Sequence, residues 1–119
     1  LKKTTSALGE PLLADQLARL LDQYRQQSKT ISYLEAVNVL GIQAPHRIQQ
    51  LTQLLESLME KDHYNKQPLR AALVVSRTGT GLPAEGFFIK AQALGLMENA
   101  QPDAFHQHCL NQLFKKYNQ

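Results

Sequence analysis

The 119-residue chain has no run that can cross a bilayer as a helix. Its longest uncharged apolar-rich stretch lies around Ala71 to Val75, whereas a spanning helix needs about 20 apolar residues. Cysteine is almost missing: Cys109 stands alone and cannot form an internal disulfide. No charged, apolar, small-residue pattern of a secretory signal opens the chain, so the two observations together predict a cytoplasmic protein without a membrane span. Acidic residues are missing from two windows, Ala36 to Leu55 and His63 to Ala84, and Arg47, Lys66, Arg70 and Arg77 fall inside them. The net charge of +3 is too small to single out a polyanionic partner, so its distribution says more than its total.

With 43% apolar residues, the chain suits one globular domain and is too short for two ordinary ones. Residues 1–9 are polar and basic and predict a flexible arm, leaving 10–119 as a single domain. Pro11 suits a first helical turn, and Leu13, Leu17, Leu20, Leu21 and Tyr24 then recur at helical spacing, predicting a helix to about Gln27. Thr30 and Ile31 read as a very short strand or extended connector. Ser32 and Glu35 form S-x-x-E, whose side chains can cap each other's backbone N–H groups, so a second helix starts here. It carries Leu34, Val37 and Leu40 and stops at Gly41. After a turn at 42–44, Pro45 opens a third helix with Ile48, Leu51, Leu55, Leu58 and Met59 as its inward positions. Two helices joined by so short a turn read as a helix-turn-helix.

Beyond the polar "HYNKQP", Ala71 to Ser76 is β-branched at its centre and reads as a strand, with Gly86 to Ile89 as its partner. Between them "RTGTGLPAEG" has enough turn-formers for a long hairpin tip. A phosphate-binding reading of these glycines fails, because a P-loop needs G-x-x-x-x-G-K-S/T leading from a strand into a helix. Here there is no such lysine, and a strand-like "FFIK" follows. The order helix, extended segment, helix, turn, helix, hairpin is that of a winged helix-turn-helix, whose third helix enters the DNA major groove while its wing meets the backbone. Ala91 to Met97 reads as a short helix or irregular. Pro102 opens a last helix with Phe105, Cys109, Leu110, Leu113, Phe114 and Tyr117 on one apolar face. The predicted class is α+β, mainly helical: a winged helix-turn-helix with a two-stranded wing and an added C-terminal helix.

"TISYLEAVNVLG", then "APHRIQQLTQLL", then "QPLRAALVVSRTGTGLPAEGF" together resemble, in order, the DNA-binding half of alkylguanine-DNA alkyltransferases and their inactive alkyltransferase-like relatives. The likeness runs from Thr30 to Phe87. It implies a role for Tyr33, matching the tyrosine that helps rotate a damaged nucleotide out of the duplex, and for Arg47, matching the arginine that fills the gap. The family's glycine after that tyrosine is Leu34 here. Its catalytic Pro-Cys-His-Arg is absent, the nearest counterpart being Pro68, Leu69 and Arg70. Without a thiol there, alkyl transfer has no nucleophile. Cys109 sits on an apolar helix face, where a buried thiol is inert.

The candidate nucleic-acid contacts are therefore His46, Arg47, Gln49, Gln50 and Gln53 on the third helix, Arg70 and Arg77 by the wing, and Tyr33. Arg and Gln can read base edges through paired hydrogen bonds. His106 and Cys109 share a helix face, but four ligands are needed for a structural zinc site and no second pair completes one. No catalytic group, metal or cofactor is implied. The leading expectation is a duplex DNA-binding protein, either a transcriptional regulator or an accessory factor in DNA processing. Two rivals accompany it. One is a protein-interaction module on the same fold, engaging a partner or a second copy of the chain. The other is a non-enzymatic lesion sensor of the alkyltransferase-like kind.

Overall fold

The computed structural model describes residues 12–98 and 101–115. The expected 1–9 arm, Pro11 and Tyr117 lie outside the described residues. The architecture is mainly helical with a two-stranded parallel sheet. Helix α1 (Leu13–Gln26) leads to β1 (Ile31–Ser32), α2 (Tyr33–Leu40) and α3 (Arg47–Tyr64). A 3₁₀ turn at Arg70–Leu73 then feeds β2 (Val74–Val75), followed by α4 (Glu85–Ala93) and α5 (Pro102–Lys115). Among the described residues no helix is long and apolar enough to cross a membrane.

The start of α2 follows from the sequence. The Ser32 hydroxyl accepts from the Glu35 N–H at 3.0 Å, and the Ser32 N–H donates to Glu35 Oε1 at 3.0 Å, satisfying two helix-end donors at once. At the other end Gly41 takes φ 68°, a left-handed conformation in which a Cβ is penalised. The third helix begins at Arg47, after His46 at φ 60° and the cis Ala44–Pro45 bond, so it starts two residues later than Pro45 suggests. Leu51, Leu55, Leu58 and Met59 of α3 are buried as their spacing predicts, but Ile48 and Leu34 are 43% and 61% exposed. Both sit in the first turn of a helix and line an open groove.

The sequence suggests an antiparallel hairpin from Ala71–Ser76 and Gly86–Ile89, and here the structure differs. Only Val74 and Val75 are extended, and they pair in parallel with β1, Ile31 against Val74 and Ser32 against Val75. Residues 86–89 lie within α4. A four-residue apolar run does not distinguish strand from helix by period, and the longer spacing decides: Phe87 and Ala91, one helical turn apart, are the buried pair. Helix α4 packs on α3, and the Phe87 ring lies 6.1 Å from that of Phe105 on α5. The two-stranded wing is thus replaced by an irregular loop, 76–84, and a helix.

The 3₁₀ turn is the centre of the molecule. It contacts α1, α3 and α5, and Ala71, Ala72 and Leu73 are at most 2% exposed. Around it Leu17, Leu21, Ile31, Val37, Leu51, Met59, Cys109 and Leu113 form one continuous core, each large side chain contributing about 1.5–3 kcal/mol by leaving water. Asp62, 1% exposed, accepts from the Arg70 backbone N–H at 3.0 Å and pairs with the Arg70 guanidinium at 2.8 Å. Asp22 of α1 holds the other side of that guanidinium at 3.2 Å. One ion-paired arginine therefore ties α1, α3 and the turn together.

His106, inward-facing on α5, donates through Nε2–H to the Ala72 carbonyl at 2.9 Å. Burial pulls its pKa below the ordinary 6.5, and the hydrogen bond to Ala72 opposes this only in part. Above 6.5 the ring is neutral folded or unfolded, so its contribution is then constant. As the pH falls below that value the unfolded chain takes up a proton that the folded chain resists, and stability drops until the lower folded pKa is passed. Urea denaturation at about pH 7.5 and about pH 5.5 should show a loss on acidification that is smaller in His106→Gln, which keeps a donor for Ala72 without titrating there. Equal losses in the two proteins would remove His106 from the acid response.

Candidate nucleic-acid interface

The N-terminal half of α3 presents its outer face to solvent. His46, Ile48, Gln49 and Gln53 are exposed, and among the described residues the Gln49 and Gln53 side-chain amides make no protein hydrogen bond. The face carries no carboxylate before Glu56. Gln50 behaves differently: its amide donates to the Gln43 and Pro45 carbonyls, each at 2.8 Å, so it locks the turn between α2 and α3. Arg47 does the same from the other side, donating from Nε to the Ile42 carbonyl at 2.9 Å and from Nη2 to Asn38 Oδ1 at 2.6 Å.

Beside this face runs a groove of about 710 Å³ between α2, α3 and the 76–84 loop, lined by Tyr33, Leu34, Ile48, Ser76, Arg77 and Ala84. The loop is ordered by its own contacts. Gly79 and Gly81 take φ 79° and 73°, Ser76 N–H donates to the Leu82 carbonyl at 2.9 Å, and its hydroxyl donates to the Thr78 carbonyl at 2.7 Å. Three further bonds pin the loop to the start of α2 and to Thr30 just before β1. The Tyr33 hydroxyl accepts from the Ala84 N–H at 2.8 Å. Arg77 Nη2 donates to the Thr30 carbonyl and to Glu35 Oε1, both at 3.2 Å.

These partners shift the titrating groups. Burial raises the Tyr33 phenol above its usual value, against the bond from Ala84, so the ring stays neutral. The Glu35 carboxyl is held below its usual range by the Ser32 N–H and then by Arg77, so the loop anchor stays charged in mildly acidic solution. Beneath Tyr33 a cleft of only about 20 Å³, bordered by Ala71, Gly86 and Phe87, has room for a single water.

Of the residues suggested by the sequence, the structure thus brings Tyr33, His46, Arg47, Gln49, Gln50, Gln53 and Arg77 to one end of the molecule, and it sets Arg70 apart. The Arg70 guanidinium is 16% exposed and bonded to Asp62 and Asp22. Burial would lower its pKa, but the two carboxylates outweigh that and raise it. The acid-free window of sequence around Arg70 concealed this, because both carboxylates come from other elements. Leu34 and Ile48 were missed as surface residues; their places at first helical turns were the available signal. Cys109 is 2% exposed, and burial pushes its thiol up to about 12, which keeps it protonated. No cluster of three or more histidine, cysteine or carboxylate groups suited to a metal occurs among the described residues. Comparison with protein-family models, curated proteins and solved structures gives no match, so a functional reading of this face rests on its own geometry.

Proposed function

We propose that the protein binds duplex DNA, with the N-terminal half of α3 in the major groove and the 76–84 loop against the phosphate backbone. The observation that carries this reading is the outer face of α3, where Gln49 and Gln53 stand one helical turn apart with their amides unengaged within the described residues. Amides so placed can pair with the N6 and N7 edge of adenine. The helix-turn-helix arrangement of α2 and α3 supports it, the loop taking the place of a wing. Arg77 supplies the phosphate contact. Its pair with Glu35 is half-exposed on both sides, and such a pair is worth only about 0–1 kcal/mol, so phosphate can compete for the guanidinium. Gln50 and Arg47 hold the turn that sets the angle of α3. Proteins of this kind serve as transcriptional regulators or as accessory factors in DNA processing.

Leu34 and Ile48 favour a second reading, a protein-interaction face at the same groove, since two large apolar side chains stand exposed there. One titration series separates the two. Gln49→Ala and Gln53→Ala should each weaken binding to a preferred duplex by about 1–3 kcal/mol. Arg77→Ala should weaken all duplexes alike and make the slope of log affinity against log salt shallower by about 1. Affinity unchanged in all three variants, with circular dichroism intact, would leave the protein-interaction reading in place of the DNA one.

A further inference from the structure

A second, larger groove of about 930 Å³ lies at the far end of α3, between its last turns, the 66–69 segment, Leu96 after α4, and α5. Its size falls in the range of small-molecule sites. Along α3, Gln53 of the first face and Glu60 of this groove stand two helical turns apart, roughly 10 Å. Leu69, Phe105 and Cys109, at most 7% exposed, line it as an apolar floor. At the rim stand Tyr64, 84% exposed, and Leu96, 38% exposed, two large side chains left in water.

The charge of the rim is one-sided. Glu60 is the one carboxylate on it, and this side chain is paired with Lys90 of α4. Lys66, His63 and His108 also line the groove, and among the described residues Lys66 has no ion-pair partner. Lys66 occupies an unusual backbone position as well. It follows the end of α3 at φ 57°, its N–H bonded to the His63 carbonyl and the next N–H to the Asp62 carbonyl. This is the helix-ending position at which glycine is strongly favoured, so a side chain here is strained. A strained conformation kept at a groove points to a use for the side chain.

We propose that this groove binds a small organic anion with a flat apolar body, the body resting on Leu69, Phe105 and Cys109 between Tyr64 and Leu96, and the carboxylate or sulfonate meeting Lys66. The two imidazoles add hydrogen-bond donors beside it. The strain at Lys66 makes a clean test possible, because Lys66→Gly removes the ammonium and relieves the backbone together.

The probes are anilinonaphthalene sulfonate and its uncharged relative phenyl-naphthylamine, read by fluorescence on the folded protein. The anionic probe should saturate at one site. In Lys66→Gly its affinity should fall about fivefold while the neutral probe stays within about twofold, the difference expected of one charge-assisted contact at a partly exposed site. The melting temperature of that variant should stay at or above the parent's. Leu96→Asp should weaken both probes. An anion affinity unchanged in Lys66→Gly, an equal loss for both probes, or binding that never saturates would overturn the proposal.

Discussion

Asp62→Ala should lower the unfolding free energy by about 3–5 kcal/mol, the usual cost of removing one partner from a buried ion pair. The Asp62 side chain is 2% exposed, so its loss leaves the Arg70 charge short of a partner in a largely buried place. Two contacts disappear together: the Arg70 backbone N–H loses its acceptor and the guanidinium loses its nearer carboxylate, leaving Asp22, itself half-exposed, as the remaining counter-charge. Asp62→Asn keeps an oxygen for the backbone N–H and should fall between the parent and alanine. Urea denaturation of the three proteins tests this ordering. A loss within about 1 kcal/mol for alanine, the range of exposed pairs, would mean that water shields the Arg70 charge after all.

The second large effect should come from the middle of the 3₁₀ turn. Leu73→Ala should cost about 2–5 kcal/mol, the transfer of a buried isobutyl group plus the cavity that remains. Leu73 has no exposed surface, and the turn bearing it meets three helices, so no single neighbour can move in without leaving another. Leu34→Ala is the matched control. The chemistry is the same, but its side chain is 61% exposed, and the change should stay within about 0.5 kcal/mol. Similar losses at the two positions in equilibrium unfolding would contradict the burial described for both.

The helical part of the fold was legible because its signals are local. Leu17, Leu20 and Leu21 mark the buried side of α1, and Ser32 with Glu35 and Gly41 mark both ends of α2. The segment from Ala71 to Ile89 was misread because its decisive partners are remote. Val74 and Val75 look like half of a hairpin, yet their partner is Ile31–Ser32, far back in the chain. "FFIK" looks like a strand, yet the spacing that matters joins Phe87 to Ala91, outside the run. The site divides in the same way. The exposed amides of Gln49 and Gln53 could be placed from the apolar stripe of α3 alone, whereas Arg70 could not be assigned without knowing that Asp22 and Asp62 converge on it. His106 was weighed as a metal ligand and set aside, and its actual partner was not foreseen: the bond to Ala72 joins two segments whose approach no local pattern encodes.

The parallel pairing of β1 with β2 makes the stretch holding α2 and α3 a closed excursion of the chain, entered at Ser32 and left through Val74. Parallel strands cannot be joined by a tight turn and must be closed over a long intervening segment, so this clamp is a non-local contact that the α2–α3 stretch cannot make by itself. Portability suffers as a result. A fragment ending at Tyr64 would keep α2 and α3 but lose β2, the 3₁₀ turn and the partner of Asp62, baring Ile31, Leu55 and Met59 to water. The face bearing Gln49 and Gln53 therefore cannot be lifted out as a bare helix pair, and a transplant into another scaffold would have to carry the chain at least through Val75.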